Sequence, residues 1–587
     1  MAYAITRTCC NDASCVSVCP VNCIHPTPDE PAFGHTDMLY VDPAACIDCG
    51  ACADACPVDA IFPVDRLMGP DALYGELNRA YYRDHPTDHA WDAPVFPRSL
   101  PTGFAGPGGG SLRVAIVGTG PSASYTAQAL LHSTGAELTM IDRLPVAGGL
   151  LRYGVAPDHQ STKRIADSFA SVFHDPRLRV HLNVEVGTDL THAELAAHHH
   201  AVVYAVGAAA DRRLDVPGED LPGSVPATTF VRWYNAEPTV PADAVDLTGG
   251  AVDLAGGAQL AGAERAVVIG NGNVAVDIAR ILLTDPDRLA ATDIADHALA
   301  ALRRSRIREV VMVARRGPGH AAWTTPEFLA LTQLPGVDVV VDDRPVVRAD
   351  LEAAAADPTA TGTAALLAGL PLERVDGTRP PRPGRRIVLR FHATPVELLG
   401  AGRVEAVRLA GPDAAGADLT GLDPTAADPA ETDPAGAGEE LLHAGLVVRS
   451  IGHRGIPVPG LPFDEVTATV PHRGGRVLDP ATGRPLPGAY LVGWAKRGSS
   501  GGIGANRACA AETVDALLDD AVAGVLRAPA GTRKEFDRLV RDRRPDALGL
   551  RQLRAIDRAE RARGEATGRP RVKLPTVPAL LAAAARR

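Results

Sequence analysis

The stretch from Arg113 to Asp142 constrains this chain most. Val114-Ala115-Ile116-Val117 is an apolar run suited to a buried parallel strand. Gly118-Thr119-Gly120-Pro121-Ser122-Ala123 follows as a G-x-G-x-x-A turn, then a helical pattern from Tyr125 to Leu131 and a second apolar run ending at Asp142. This order suits a dinucleotide site. Gly118 allows the tight turn, Gly120 lets backbone approach a pyrophosphate, and Ala123 packs helix on strand. Ser122 falls in the turn itself, and Asp142 lies where a ribose hydroxyl needs an acceptor. The competing reading is an ordinary glycine turn in a βα unit; strand, helix and downstream acid together argue against it.

The pattern recurs. Ala266 to Ile269 leads into Gly270-Asn271-Gly272-Asn273-Val274-Ala275, and Val310 to Val313 ends in Arg315-Arg316. Two guanidinium groups at that strand end suit a 2′-phosphate, where an NAD site places a carboxylate. Two Rossmann-like α/β units are therefore expected.

Nine of the ten cysteines precede residue 57. Cys46-x2-Cys49-x2-Cys52-x3-Cys56-Pro57 is the bacterial ferredoxin run, whose fourth cysteine ligates the other cluster. Cys9-x2-Asp12-x2-Cys15-x3-Cys19-Pro20 repeats its spacing with Asp at the second place. Crossing the fourth ligands assigns Cys46, Cys49, Cys52 and Cys19 to one [4Fe–4S] cluster, and Cys9, Cys15 and Cys56 to a second. Carboxylate is a harder, weaker iron ligand than thiolate. Lacking a fourth thiolate, the second site either loses one iron and remains [3Fe–4S] or holds a [4Fe–4S] cluster ligated by Asp12. Two Cys-Pro-terminated runs disfavour a zinc ribbon. Cys10 and Cys23 are left over, as packing or free thiols.

The 587 residues are 46% hydrophobic and 22% charged, enough for several domains. A net charge of −11 argues against general nucleic-acid binding. No apolar run suffices to span a bilayer, and MAYAITRTCC lacks a signal peptide's apolar core, so a cytoplasmic protein without a membrane partner is expected. Residues 1–66 carry nine acids and two arginines, whereas Gly531 to Arg587 carries sixteen basic and seven acidic residues. That tail reads either as a helix packed on the neighbouring domain or as a docking surface for the acidic unit. His198-His199-His200 reads as a solvated loop. Residues 67–110, punctuated by Pro and Gly, read as a tether, mobile at Gly108–Gly110; residues 411–440 read as a surface insertion.

Gly148-Gly149-Leu150-Leu151-Arg152-Tyr153-Gly154-Val155-Ala156-Pro157-Asp158-His159 resembles the signature of adrenodoxin-reductase-type ferredoxin–NADP reductases. So does Gly493-Trp494-Ala495-Lys496-Arg497-Gly498-Ser499-Ser500-Gly501-Gly502-Ile503-Gly504, with Ser499-Ser500 where the family has Pro-Thr. The first unit resembles seven-iron ferredoxins, which implies [3Fe–4S] at the second site, with an Asp12-ligated [4Fe–4S] as the alternative. Together they resemble the fused ferredoxin/ferredoxin–NADP reductases of actinobacteria. The resemblance implies a small α+β ferredoxin domain at 1–66, a linker at 67–110, and a discontinuous FAD domain at 111–215 and 446–587. Between its halves lies an NADP domain at 216–445.

The resemblance also implies FAD contacts at Gly149, Leu150, Val186, Gly493, Trp494, Gly501, Gly502 and Ile503, besides those of the first turn. NADP contacts fall at Asn271, Gly272, Asn273, Val274, Arg315 and Arg316. His159 and Glu327 (in Thr324-Thr325-Pro326-Glu327) fall near the reacting atoms. The implied activity moves electrons between NADPH, FAD and iron–sulfur clusters to a one-electron acceptor such as a separate ferredoxin or a cytochrome P450. The rival readings are an electron-input subunit like the small subunit of glutamate synthase, and a low-turnover redox sensor. Cys509 has no C-x-x-C partner, so thioredoxin-reductase chemistry is unsupported.

Overall fold

The structure is a computed structural model that describes residues 2–87, 100, 104, 106–248, 264–356, 363–411 and 439–585. Its first unit is a small α+β body. Strand Tyr3–Ile5 pairs antiparallel with Ile61–Pro63, and Ile24–His25 with Tyr40–Val41. Asn78, on helix Leu73–Asp84, fastens the two ribbons: its Oδ1 accepts from Ile5 N at 3.1 Å and Val41 N at 2.8 Å. This helix lies in the stretch read from sequence as the start of the tether, and it packs as part of the first unit.

Much of the tether, 88–99, 101–103 and 105, lies outside the described residues. Gly108–Gly110, expected to be mobile, belongs to a hydrogen-bonded turn in which Gly106 N donates to the Gly110 carbonyl at 2.8 Å. His200 holds that turn through the Pro107 carbonyl at 3.0 Å.

The second unit is built on a seven-stranded sheet. Its parallel strands run in the order Pro485–Leu491, Ala201–Tyr204, Arg113–Val117, Glu137–Asp142, Leu178–Leu182; an antiparallel hairpin extends the first edge. Strands 113–117 and 201–204 are almost wholly buried, which explains their unbroken apolar sequence. Helices Pro121–Ser133 and Ala505–Val522 pack together on it.

The third unit has a seven-stranded, all-parallel sheet in the order Ser224–Pro226, Leu446–Arg449, Arg265–Ile269, Glu309–Val313, Arg385–Arg390, Val337–Asp342, Leu372–Glu373. Leu446–Arg449 corrects the expected domain boundary. The return to the FAD unit was placed at 446, but this strand is an inner member of the third unit's sheet. The chain crosses between units where Ala210–Asp211 pairs with His453–Arg454. A buried apolar strand shows that it is central, not which sheet it joins. The expected insertion is largely outside the described residues; strands Ala406–Ala410 and Glu439–His443 pair on either side of it.

Two further expectations change. His199 and His200 are buried, not solvated. His199 hydrogen-bonds Thr139 Oγ1 at 3.1 Å and meets the Phe536 ring at 4.8 Å; His200 Nδ1 accepts from Arg113 N at 2.9 Å. The tail, for its part, welds the reductase together. Glu560, fully buried, pairs with Arg152 at 2.5 Å. Lys573 pairs with Asp293 at 2.9 Å and donates to Asn235 Oδ1 at 2.9 Å, while Lys163 reaches Asp293 at 2.6 Å. Burial opposes ionisation of Glu560, yet Arg152 and the Leu574 amide outweigh it and hold the carboxyl below its ordinary range. Glu560→Ala would leave Arg152 unpaired in a site it shares with almost no water. A loss of roughly 3–5 kcal/mol in stability is expected, read as a lower Tm by calorimetry.

Candidate active site

Glycine shapes the first nucleotide trough. At Gly118, φ is +111° and a Cβ would lie 2.5 Å from the Ala205 carbonyl. At Gly149, φ is +50° and a Cβ would lie 2.9 Å from Gly120 Cα. Gly120 and Gly149 each precede a helix, Pro121–Ser133 and Leu150–Tyr153, so two helix N-termini meet across bare backbone. That cradle, which a side chain would fill, fits a pyrophosphate. Ala123 is fully buried behind it. Asp142 is also a fastener of the turn: its Oδ2 accepts from Thr119 N at 2.9 Å and Thr119 Oγ1 at 2.6 Å, its Oδ1 from Leu144 N at 3.0 Å. Val186 lies in a short loop bridged to Leu190.

The second half of the unit closes on the same trough. A Cβ on Gly493 would lie 2.1 Å from Ser122 Oγ, and the Gly493 amide donates to buried Cys509 Sγ at 3.2 Å. Cys509 thus has a fastening contact at this trough. Trp494 Nε1 and Arg497 Nε both donate to the Ser500 carbonyl, at 3.1 and 3.0 Å, and Ser499 Oγ donates to the His453 carbonyl at 3.1 Å. The Ser-Ser variant of the loop is therefore pinned at both serines.

Asn506, which sequence reasoning missed, is the hub. It accepts from Ser122 Oγ at 2.6 Å and Arg497 Nη2 at 3.1 Å, and donates to the carbonyls of Gly502 at 3.1 Å and Ile503 at 3.0 Å. The available signal was an amide residue in the first turn of the helix after the Gly501–Gly504 loop.

His159 Nε2 stands 3.8 Å from Glu327 Oε2, and with Asp277 they bring three ligand-type atoms within 4.8 Å of one another. Asp277 was also missed. Arg280, three residues along the same helix, pairs with both Asp277 and Asp158 and supplies the local counter-charge. Burial lowers the His159 pKa, with Glu327 opposing, so the imidazole is neutral at neutral pH. Glu327 Oε2 is buried and, among the described residues, has no hydrogen-bond partner. An orphaned acceptor of this kind fits a site made for a ligand.

The second glycine turn is equally tight. At Gly270, φ is +123° and a Cβ would lie 2.1 Å from the Ser450 carbonyl. Gly272 precedes helix Asn273–Leu283, on which Val274 is half-buried. Asn273 Oδ1 accepts from Thr324 N at 2.8 Å, and the Asn271 carbonyl from Ala322 N at 3.1 Å. Arg315 and Arg316 follow strand Glu309–Val313; both are exposed and, among the described residues, have no ion-pair partner.

In the first unit, Cys19, Cys46, Cys49 and Cys52 line one cavity together with Cys23, whose Sγ lies 3.4 Å from Cys19 Sγ. The other set gathers separately. Burial raises the Cys9, Cys15 and Cys56 thiols, Cys9 to about 12, and nearby Asp12 raises each further. The Asp12 carboxylate meanwhile accepts from Ser14 Oγ.

A 4Fe-4S binding domain family matches residues 39–62. A probable ferredoxin/ferredoxin–NADP reductase of Mycobacterium bovis is 48% identical, covering 100% of this chain and 95% of that protein. Its counterpart in Mycobacterium leprae is 44% identical over 100% and 98%. This chain belongs to the fused ferredoxin/ferredoxin–NADP reductases.

Among solved structures, FprA of Mycobacterium tuberculosis in complex with NADPH superposes with a TM-score of 0.67 at 40% identity, covering 81% of this chain and 99% of that one. The fusion enzyme is thus an FAD-dependent, NADP(H)-linked oxidoreductase that carries its own iron–sulfur ferredoxin. Among the described residues, no helix is long and apolar enough to cross a membrane.

The ferredoxin unit sits on the FAD unit through its Cys9–Asp12 loop. Gly504 N donates to the Cys10 carbonyl at 2.9 Å, and Arg507 Nη1 to the Asp12 carbonyl at 2.6 Å. A Cβ on Gly504 would lie 1.8 Å from the Asn11 carbonyl, so only glycine permits this approach. Buried apolar residues of the two units form one continuous cluster, and Arg164 pairs with Asp59 at 2.7 Å. Cys49 and Ile47, at the other cysteine set, are exposed, Ile47 by 58%.

Proposed function

We propose that the fusion enzyme carries electrons from NADPH through FAD and two iron–sulfur centres to an external one-electron acceptor, such as a separate ferredoxin or a cytochrome P450. The observation that carries this reading is the seat of the Cys9–Asp12 loop on Gly504 and Arg507. It sets the Asp12 cradle against the helix whose leading loop, Gly501 to Ile503, we assign to FAD. The Cys19/Cys46/Cys49/Cys52 cradle, opening at exposed Cys49, then serves as the exit.

FAD, when bound, accepts hydride from NADPH and yields electrons one at a time. The chain's residues arrange this exchange. Gly118, Gly120 and Gly149 admit the pyrophosphate of FAD. Gly272, Asn273 and Val274 receive that of NADP at a helix N-terminus, and Arg315 and Arg316 select the 2′-phosphate. Neutral His159 and Glu327 bound the nicotinamide end. Linkage within one chain holds donor and acceptor units at a high effective concentration.

We assign the Asp12 cradle to a [3Fe–4S] centre, because Asp12 offers oxygen where its sister site offers sulfur and already accepts from Ser14. Protein isolated in air is expected to show the EPR signal of an oxidised [3Fe–4S] centre. Asp12→Cys is expected to convert that site to [4Fe–4S]. Only [4Fe–4S] signals in the unmodified protein, at every redox poise, would make Asp12 a ligand and defeat this assignment. Anaerobic titration with NADPH, followed by visible absorbance and EPR, tests the whole route: both flavin and iron–sulfur absorbance should bleach. Bleaching of flavin alone would refute it.

A further inference from the structure

We infer that Asp37 is a positioning residue for the nicotinamide end: the ferredoxin unit supplies the cap that fixes the start of the helix bearing Glu327. That helix is Thr325–Thr332, and its N-cap residue, Thr324, makes no side-chain capping bond. Instead Thr325 N donates to Asp37 Oδ2 at 2.8 Å, across 288 positions of sequence. A carboxylate there satisfies an amide the helix leaves unpaired and complements the positive end of its dipole.

The segment is gripped from its other side by the second glycine turn. Thr324 N donates to Asn273 Oδ1 at 2.8 Å and Ala322 N to the Asn271 carbonyl at 3.1 Å. Residues 322–325 therefore lie between the expected NADP turn and the ferredoxin unit. Glu327 follows after Pro326, whose ring fixes φ and leaves little slack between Thr325 and the glutamate. Glu327 Oε2 in turn faces His159 Nε2 at 3.8 Å.

Asp37 is itself tied to the cluster-bearing loop, since Asn11 Nδ2 donates to the Thr36 carbonyl at 3.1 Å. The same unit also brings the positive charge of Arg7 toward His159 and Arg280, where it disfavours the charged form of each. Docking of the ferredoxin unit and alignment of Glu327 against His159 are thus one contact network. This inference rests on reading His159 and Glu327 as the nicotinamide end.

The test uses the full-length holoenzyme with Asp37→Ala, Asp37→Asn and, as a separate control, Glu327→Gln. Three quantities are read: flavin reduction by saturating NADPH in stopped flow, the Kd for NADP+, and hydrogen–deuterium exchange of residues 322–332. Asp37→Ala is expected to slow flavin reduction about fivefold, the effect of losing one helix cap. It should raise exchange in residues 322–332 and leave Kd within about twofold, since a cap is lost and no nucleotide contact. Asp37→Asn keeps an oxygen acceptor and should recover most of the rate. Iron–sulfur absorbance should match the parent in both variants. Unchanged flavin reduction and exchange in Asp37→Ala, beside a slowed Glu327→Gln, would overturn the inference alone. An unaltered Glu327→Gln would instead bring down the reading of the nicotinamide end, and this inference with it.

Discussion

Replacing Arg315 and Arg316 together by alanine is expected to raise KM for NADPH by roughly 10²–10³-fold while leaving NADH almost unchanged. The size follows from two charge-assisted contacts worth about 1.5–3 kcal/mol each, discounted for exposure. The selectivity follows from chemistry, because the nucleotides differ only at the 2′-phosphate. Both guanidinium groups stand free at a strand end whose following residue is tightly enclosed: a Cβ on Gly317 would lie 2.3 Å from Asp350 Oδ2. The arginines are thus exposed side chains at the end of a buried strand, placed to meet a phosphate. Steady-state ferricyanide reduction with each nucleotide measures the effect. Equal losses with NADPH and NADH would remove the arginines from 2′-phosphate recognition.

Deleting residues 1–110 is expected to abolish most cytochrome c reduction while sparing FAD binding and ferricyanide reduction. Ferricyanide takes electrons directly from flavin, whereas cytochrome c is expected to draw them through the ferredoxin unit. The reductase portion has its own sheets, and the relative FprA of Mycobacterium tuberculosis, 44% identical, covers only 80% of this chain. NADPH turnover in the truncated protein should be somewhat slower than in the intact chain, by the loss of Asp37. The separate ferredoxin unit, added back, should restore cytochrome c reduction in a salt-sensitive way, because its formal charge of −7 steers encounter over a Debye length of roughly 10 Å at 0.1 M. In the intact chain salt should matter little: the covalent link replaces encounter, and Arg164–Asp59 is a half-exposed pair of small worth. A truncated enzyme that reduces cytochrome c as fast as the full chain would take the clusters off the main path.

The charge contrast between residues 1–66 and the tail suggested a docking surface, but the tail's buried groups have another task. Lys573 and Arg569 reach Asp293 and the Ile294 carbonyl, joining the two reductase units, while Glu560 holds Arg152 within the FAD unit. The surface that meets the ferredoxin unit is the start of helix Ala505–Val522 and the amide of Thr325. Net charge describes the field a segment makes at a distance; it does not tell which basic groups have been spent on internal pairs.

What sequence alone determined here are the features imposed by local constraint. Gly118, Gly149, Gly270 and Gly493 were legible because positive φ and the approach of neighbouring atoms below 3 Å disfavour a side chain. The cysteine runs were legible because shared iron centres dictate spacing, and the parallel strands because burial on both faces demands unbroken apolar residues. The tertiary structure alone decided which surfaces meet. It placed Leu446–Arg449 in the other sheet, buried His199 and His200, made Asn506 the hub between Ser122 and the Gly501–Gly504 loop, and brought Asp37 to the helix of Glu327. Each of these depends on residues far apart in sequence whose contacts are individually weak and become fixed only together, so no local pattern records them.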